Sequence, residues 1–236
     1  MSNSWFQFKQ FTVHQERSAM KVSTDACIQG AWTPLAPEVK TVLDIGTGTG
    51  LLALMLSQRQ NRLVIDAAEI EPAAYQQAKQ NMDNSPFSEG IHVHHTDIRY
   101  WDKPSKYDLL ICNPPFFSNS LRSTDTQRRL ARHDDSFSRE DMALAIKRLM
   151  NPEGSASILL PATEQQDWET LLHLHQLQLQ QRLLIRPYAH SKVNRVVSIC
   201  NSSGRTAPDE ELVIYRQPGQ YTASFAALMQ PFYLGL

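Results

Sequence analysis

The chain contains 236 residues, of which 42% are apolar and 20% charged. This composition is that of an ordinary globular protein and excludes a disordered chain, a collagen-like repeat and a disulfide scaffold. Lys and Arg number 23 against 24 Asp and Glu, so a net charge of −1 provides no overall field to attract a polyanion. Nucleic-acid binding would therefore depend on local patches of positive charge.

Membrane insertion and secretion are not indicated by the apolar pattern. The longest uninterrupted apolar run, Leu51 to Leu56, is much shorter than the roughly 18–20 residues that cross a bilayer. Residues 1–17 lack the apolar segment of a signal peptide. The three cysteines are odd in number and widely spaced, which is typical of a reducing compartment. We therefore expect a cytoplasmic protein that makes no membrane contact.

Short strand-like runs alternate with helix-like segments along the chain, which predicts a doubly wound, mostly parallel sheet in an α/β domain. The first four apolar runs predict strands over Val42–Ile45, Leu63–Glu69, Ile91–Thr96 and Tyr107–Cys112. A helix follows the first strand from Leu51. Pro72 opens a second helix that reaches about Asn81, since proline is favoured at a helix start.

The second half of the chain continues the alternation. Ser138 followed by Asp141 resembles a capping box and predicts a helix start. A turn at residues 151–154 leads into a fifth predicted strand, Ser155–Leu160. Two more strand-like runs share a connection that contains Gly and Pro, and they predict an antiparallel hairpin at one edge of the sheet: Arg195–Cys200 and Glu211–Ile214.

An acid and three glycines occupy the turn between the first strand and its helix, in the order Asp44, Gly46, Gly48, Gly50. Glycine allows a tight turn and a close approach of the backbone to a ligand, here at the positive end of a helix. The spacing differs from the G-x-G-x-x-G of a dinucleotide site. Asp44 would repel a pyrophosphate, but it can organise the loop around an ammonium group.

Two further acids end the next two predicted strands, where ligands bind in a doubly wound sheet. Glu69 is placed to accept hydrogen bonds from a ribose diol, and Asp97 to reach the exocyclic amine of an adenine. S-adenosylmethionine carries a ribose, an adenine and an ammonium group but no phosphate. The pattern of acids and glycines therefore predicts S-adenosylmethionine as the cofactor.

The fourth predicted strand runs into Asn113-Pro114-Pro115-Phe116, and a residue that precedes proline is driven into an extended conformation. The side-chain oxygen and the carbonyl of Asn113 can then accept both N–H groups of a planar amine, which frees the nitrogen lone pair. Phe116 would stack on the ring. This motif predicts methyl transfer by in-line displacement, promoted by orientation and dipoles rather than by a strong general base.

Two basic segments are candidates for contact with RNA phosphates. The residues predicted to bind RNA are Arg122, Arg128, Arg129, Arg132, Arg186, Lys192 and Arg195. A run of histidines, His92, His94 and His95, has no carboxylate at ligand spacing, and we therefore predict no metal site.

These residues resemble the class I S-adenosylmethionine-dependent methyltransferases, in the branch that methylates amines and carries an Asn-Pro-Pro-aromatic motif. The motif alone does not separate adenine N6, guanine N2 and protein glutamine as targets. Four further segments resemble the bacterial tRNA1(Val) adenine-37 N6-methyltransferase family, and the similarity covers nearly the full length: Phe8–Phe11, Ala19–Asp25, Gly30–Trp32 and Phe232–Leu234.

The resemblance implies a seven-stranded sheet with one antiparallel edge strand, in a single domain over residues 1–236 whose residues 1–40 pack on the cofactor pocket. It also implies a monomer that methylates an adenine of tRNA. The implied catalytic residues are Asn113, Pro114, Pro115 and Phe116. The implied cofactor-binding residues are Lys21, Thr24, Asp44, Gly46, Gly48, Gly50, Glu69, Ile70, Asp97 and Ile98.

Two other functions stay open at this point. The first is N-methylation of another planar amine, in rRNA guanine or in a protein glutamine. A glutamine methyltransferase would be expected to carry an N-terminal helical recognition domain, whereas only about forty residues precede the first predicted strand of this chain. The second is a catalytically silent tRNA-binding protein, which the acids and Asn113 argue against.

Overall fold

The alternation of strands and helices is present in the structure, a computed structural model that describes residues 3–114 and 137–236. In the described ranges the strands are β1 (Trp5–Gln7), β2 (Thr12–His14), β3 (Thr41–Ile45), β4 (Val64–Glu69), β5 (Ile91–His95), β6 (Tyr107–Cys112), β7 (Met150–Pro161), β8 (Gln178–Tyr188), β9 (Arg195–Asn201), β10 (Glu210–Gln217) and β11 (Gln220–Tyr221). The helices there are α1 (Thr24–Trp32), α2 (Leu51–Arg59), α3 (Pro72–Asp83), α4 (Arg139–Leu149), α5 (Gln165–Leu174) and α6 (Ala223–Met229).

One large sheet organises the described residues, with nine strands in the order β11-β10-β8-β9-β7-β6-β3-β4-β5. Strand β9 is antiparallel to both of its neighbours, and the outermost strand β11 is antiparallel to β10; the other pairs are parallel. The predicted α/β class, with a mostly parallel sheet and an antiparallel strand at one edge, is confirmed. Within the described residues the large sheet contains nine strands, two more than the seven predicted.

The predicted edge hairpin is wrong. Strands β9 and β10 do not pair, because β8 lies between them, antiparallel to β9 and parallel to β10. The sequence interpretation missed β8 because its apolar run, Leu183–Ile185, is only three residues long, and only Leu183 and Ile185 are buried in the strand. Its arginines dominated the composition of the segment and suggested an exposed basic stretch.

Helix ends follow the expected local chemistry. Ser138 and Asp141 form a reciprocal capping box at the start of α4, and Pro72 is the first residue of α3, as predicted. The predicted turn at residues 151–154 is a bulge inside β7, where the pairs Met150–Tyr107 and Ser155–Leu109 enclose four residues on β7.

Both faces of the large sheet are buried, as expected of parallel strands covered by helices. Helices α1, α2, α3 and α6 cover one face, and helices α4 and α5 cover the other. The three cysteines are free and buried among these apolar side chains. Within the described ranges, no helix combines the length and the apolar character needed to span a membrane.

The two ends of the described chain are joined. Phe8 is fully buried and forms an isolated antiparallel bridge with Tyr233. The backbone N–H of Lys9 donates to the carbonyl of Phe232 at 2.8 Å, and its ammonium group donates to the carbonyl of Leu236 at 2.9 Å. The segment that follows this junction, Arg17 to Lys21, runs along the carboxyl edge of the sheet.

Candidate active site

A cavity of about 730 Å³ lies at the carboxyl ends of β3, β4, β5 and β6. Most of its wall comes from residues 17–21, 45–49, 68–71, 96–98 and 112–114, and Phe137 and apolar residues of α1, α2 and α3 complete it: Ala26, Leu51, Leu52, Ala73 and Ala74. Strand order explains this convergence, because β6-β3-β4-β5 are neighbours and their ends meet at one edge.

The glycine turn takes left-handed backbone conformations. Gly46, Gly48 and Gly50 have φ angles of +67°, +60° and +85°. A Cβ on Gly46 would meet nothing within 4 Å, so this turn leaves open space beside the backbone. At Gly50 a Cβ would approach Met82 Cε to 2.8 Å. Gly46 therefore faces free volume, whereas Gly50 lies against Met82 of α3, and its left-handed φ favours glycine there.

Glu69 connects the glycine turn to the end of β4. It is buried and lines the cavity, with Oε2 accepting from the Gly48 N–H at 2.8 Å and Oε1 from the Glu71 N–H at 2.9 Å. Each carboxylate oxygen can accept a second hydrogen bond. The side chain therefore holds the loop in place and still has acceptor capacity on the cavity side.

Asp44 lies beneath the turn and does not form part of the cavity wall. It is fully buried, and its Oδ2 accepts from the Thr47 hydroxyl at 2.5 Å. Oδ1 has no hydrogen-bond partner among the described residues. Burial raises the pKa of Asp44 to about 7 against the opposing effect of Thr47, and the nearby Glu69 adds to the rise. A cation above the turn would relieve this unfavourable position.

Asp97 begins the short 3-10 turn Ile98–Tyr100 and lines the cavity together with Ile98. Its carboxylate accepts from the Arg99 backbone at 2.9 Å and from the Arg99 guanidinium at 2.6 Å. Burial acts to raise the pKa of Asp97, but the hydrogen bonds and charge of Arg99 outweigh it and hold the pKa low. An adenine amine would therefore share this carboxylate with Arg99.

Arg148 of α4 fixes the same turn from outside the cavity. Its guanidinium donates to the carbonyls of Ile98 at 2.8 Å and Arg99 at 3.4 Å, and also to the carbonyl of Trp101. These carbonyls belong to the turn that starts at Asp97. Helix α4 therefore controls the position of one wall of the cavity.

Asn113 and Pro114 follow β6 and line the cavity. The preceding carbonyl, that of Cys112, accepts a hydrogen bond from the buried Gln29 side chain at 3.0 Å. The other two members of the predicted motif, Pro115 and Phe116, lie outside the described residues.

Most of the predicted cofactor-binding residues in the described ranges meet in this cavity: Lys21, Gly46, Gly48, Glu69, Ile70, Asp97 and Ile98. Three do not line it: Thr24 is the first residue of α1, Asp44 is buried under the turn, and Gly50 packs on α3. Sequence reasoning missed several wall residues: Arg17, Ser18, Ala19, Met20, Thr47, Thr49, Glu71, Thr96 and Phe137. Among these residues, only Thr47 and Thr49 were indicated by the local sequence, because they lie between the glycines of the turn.

The second basic segment is largely neutralised by acids. Arg186 forms an ion pair with Glu211 and donates to the Ser191 carbonyl at 2.7 Å. Arg195 forms an ion pair with Asp25, with 3.3 Å between Nε and Oδ2. Lys192 is exposed. The first basic segment, with Arg122, Arg128, Arg129 and Arg132, lies outside the described residues.

One member of the histidine run, His94, belongs to a polar cluster around Asp66 of β4. His94 Nε2 lies 2.6 Å from Asp66 Oδ1, which also accepts from Lys103 at 2.7 Å. In the part of the chain that the structure describes, no three His, Cys, Asp or Glu side chains are grouped so that they could hold a metal ion.

Comparison with known proteins identifies the family. The family model "Methyltransferase small domain" matches residues 32–146. A Cytophaga hutchinsonii protein named tRNA1(Val) (adenine(37)-N6)-methyltransferase is 38% identical, and the alignment covers 100% of both chains. The chain belongs to this family. A Flavobacterium psychrophilum relative of the same name is 36% identical over 97% of this chain and 99% of its own.

Membership of the tRNA1(Val) (adenine(37)-N6)-methyltransferase family confirms the resemblance that the sequence motifs indicated. The fold has wider relatives among solved structures. A predicted O-methyltransferase from Agrobacterium tumefaciens superposes with a TM-score of 0.69 at 16% identity, covering 88% of this chain and 96% of the other. At that identity the likeness shows the fold alone, and it agrees with the predicted α/β class.

Proposed function

We propose that the protein transfers the methyl group of S-adenosylmethionine to the N6 amine of an adenine in tRNA, namely adenine 37 of a valine tRNA. The observation that carries the proposal is the convergence of the glycine turn, Glu69, Asp97 and Asn113 on one cavity. Full-length similarity to relatives that bear this name supports the choice of adenine in tRNA over the other planar amines.

The cavity fits S-adenosylmethionine in size and in chemistry. Its volume of about 730 Å³ falls in the range of small-molecule sites. Gly46 leaves open space beside the turn, and the unpartnered Asp44 Oδ1 lies beneath it, which suits a ligand with a cationic ammonium group. Glu69 would accept from the ribose hydroxyls, and Asp97 from the adenine amine. When bound, this cofactor supplies a methyl group on a positively charged sulfur.

Asn113 would hold the target amine of the substrate. Its side-chain oxygen and its backbone carbonyl would accept the two N–H groups of the adenine amine and favour a pyramidal nitrogen with an available lone pair. Pro114 and Pro115 would hold this residue extended, and Phe116 would stack on the base. A protonated product amine loses its proton readily, so orientation and dipoles are sufficient and no strong base is needed.

An adenine in an RNA loop must leave its stack to reach such a cavity, and stacking on an aromatic side chain offsets part of that cost. Contacts to phosphates would come from the segment with Arg122, Arg128, Arg129 and Arg132 and from Lys192. Arg186 and Arg195 would contribute less, because Glu211 and Asp25 already compensate their charges.

We further propose a monomer in the cytoplasm, built as a single domain over residues 1–236. Residues 1–40 would act as an N-terminal extension that closes the cofactor pocket, a role supported by the position of Ser18 to Lys21 in the cavity wall.

The deciding experiment supplies radiolabelled S-adenosylmethionine to the protein together with tRNA, rRNA and a protein extract in separate reactions. We expect label in tRNA alone and, after digestion, N6-methyladenosine as the labelled nucleoside. Labelled N2-methylguanosine in rRNA would show that the substrate is a guanine of rRNA, and labelled methylglutamine would show that it is a protein glutamine. Either result would contradict the proposed substrate. An Asn113→Ala variant is the control, since it should retain cofactor binding and lose transfer.

A further inference from the structure

Gln29 is a buried polar residue of α1 whose side chain contacts the large sheet. It lies in α1 between apolar neighbours, and its side chain has no exposure to solvent. Its Nε2 donates to the carbonyl of Cys112 at 3.0 Å and to the carbonyl of Ser157 at 3.0 Å. These two acceptors belong to the neighbouring strands β6 and β7, so the amide joins both strands to α1.

Fold stability alone does not account for an amide at this position. The Gln29 Oε1 atom is buried without a hydrogen-bond partner among the described residues, which costs free energy relative to an apolar side chain. Its amide donors, in contrast, are both used, one of them on the carbonyl of Cys112, the last residue of β6. The residue therefore has a positional effect that an apolar side chain would lack.

That effect falls on the residue before Asn113. Pairing between β6 and β7 ends at Cys112 and Ile158, so the carbonyl of Cys112 lies where the ladder stops. The same carbonyl belongs to the peptide plane that contains the Asn113 N–H. A hydrogen bond to this oxygen fixes the plane and, with it, the direction in which Asn113 enters the cavity.

We infer that Gln29 is a positioning residue for Asn113, acting through the carbonyl of Cys112. This inference rests on the proposed function, in which Asn113 holds the target amine. Reacting groups must be aligned closely for efficient transfer, and a misplacement of about 1 Å can cost as much as a hundredfold in rate. Loss of the Gln29 donor should therefore lower turnover without weakening cofactor binding.

Thr33 provides a matched control in the same network. It caps α1 one turn after Gln29, is equally buried, and its hydroxyl lies 2.7 Å from the Ser157 hydroxyl. Gln29→Met and Thr33→Val each remove polar atoms from this network with little change in volume. Only the first removes the hydrogen bond to Cys112.

The experiment compares these two variants with the parent in thermal unfolding, calorimetric binding of S-adenosylhomocysteine and methyl transfer to tRNA. We expect both to bind S-adenosylhomocysteine within about twofold of the parent, and only Gln29→Met to lose about tenfold or more in kcat. Equal kcat values for the two variants at similar melting temperatures would overturn the inference.

A conservative variant keeps the test decisive if Gln29→Met does not fold. In Gln29→Glu, a protonated carboxyl can still donate to the Cys112 carbonyl, whereas an ionised carboxylate repels it. The kcat of this variant, expressed as a ratio to that of the parent, should fall as the pH rises from about 6 to 8, since burial raises a carboxyl pKa. A ratio that does not change with pH would contradict the positioning role.

Hydrogen exchange separates failure of this inference from failure of the proposed function. We expect faster exchange in the peptide from Tyr107 to Pro114 for Gln29→Met but not for Thr33→Val. This readout needs no substrate, so it decides the positioning role even if the parent does not methylate tRNA. Unchanged exchange in Gln29→Met would overturn the inference.

Discussion

Glu69 shows how one side chain can organise a loop and still offer acceptors to a ligand. Its two oxygens hold the amides of Gly48 and Glu71, one on each side of the cavity edge. Removing the carboxylate therefore affects the ligand contact and the shape of the glycine turn together.

We predict that Glu69→Ala weakens binding of S-adenosylhomocysteine by roughly ten- to a hundredfold, which corresponds to the loss of a charge-assisted hydrogen bond of about 1.5–3 kcal/mol. Titration calorimetry measures this. Glu71→Ala is the matched control, because Glu71 also lines the cavity, and only its backbone N–H bonds to Glu69. An affinity for Glu69→Ala equal to that of the control would contradict the assignment.

Asp44 predicts a specific dependence of stability on pH. Its pKa in the folded chain is about 7, above the usual value near 3.8, so the folded state holds a proton that the unfolded state releases. The unfolding free energy should therefore fall as the pH rises from about 4 to 7 and level off above that range. We expect Asp44→Asn to show a smaller fall over this interval in urea unfolding.

The same carboxyl couples the proton to the ligand. An ammonium group above the turn favours ionised Asp44, so cofactor affinity should rise as the pH increases through about 7 in the parent, but not in Asp44→Asn. Calorimetry at three pH values checks this. An identical pH dependence in both proteins would show that Asp44 does not respond to the ligand.

At the scale of elements, α4 connects two parts of the site. It begins at Arg139, two residues after Phe137 of the cavity wall, and near its end Arg148 binds three carbonyls of the turn that begins at Asp97. We predict that Arg148→Met weakens binding of S-adenosylhomocysteine about tenfold, which corresponds to about 1.4 kcal/mol. Lys147→Met is the control, since among the described residues Lys147 donates to the Gln176 carbonyl and not to this turn. Equal affinities in the two variants would refute a role for Arg148.

Strands with apolar side chains on both faces could be predicted from the sequence, whereas strands that combine apolar and charged side chains could not. Strands β3, β4 and β6 are rich in apolar residues because helices cover both sides of the sheet there. Strand β8 lies near one edge of the sheet, and its short apolar run Leu183–Ile185 is flanked by Arg182 and Arg186, so its charge suggested an exposed basic stretch. Missing it placed β9 and β10 side by side and produced the incorrect hairpin.

Site residues were predictable where a strand end coincided with a chemically distinctive side chain. Glu69, Asp97 and Asn113 meet both conditions, and all three line the cavity. Arg17 and Met20 meet neither, because only the tertiary fold brings their segment to the sheet edge. Gln29 gave no signal either, since a single glutamine in a helix is ordinary in sequence and becomes meaningful only through its contact with Cys112.

At the scale of the whole molecule, a net charge of −1 means that RNA affinity must come from a few uncompensated cations. We predict that replacing Arg128, Arg129 and Arg132 by Gln weakens tRNA binding and reduces the salt slope by about 0.7–0.9 for each phosphate that the protein no longer neutralises. Arg186→Gln should change the slope much less, because Glu211 already pairs with this arginine. Filter binding at several salt concentrations measures the tRNA affinity and the salt slope of the triple variant, of Arg186→Gln and of the parent. A triple variant with the slope of the parent would place the RNA surface elsewhere.

The junction of Phe8 and Lys9 with the last residues of the described chain has a consequence for synthesis on the ribosome. Lys9 and its acceptor on Gln230 are separated by 221 positions, so at about 5–20 residues per second the aromatic N-terminal segment waits roughly ten to forty seconds for its partners. During that interval Phe8 and Phe11 cannot be fully covered. The segment that leads to the wall of Arg17 to Lys21 thus gains its aromatic cover only after Phe232 and Tyr233 have been made.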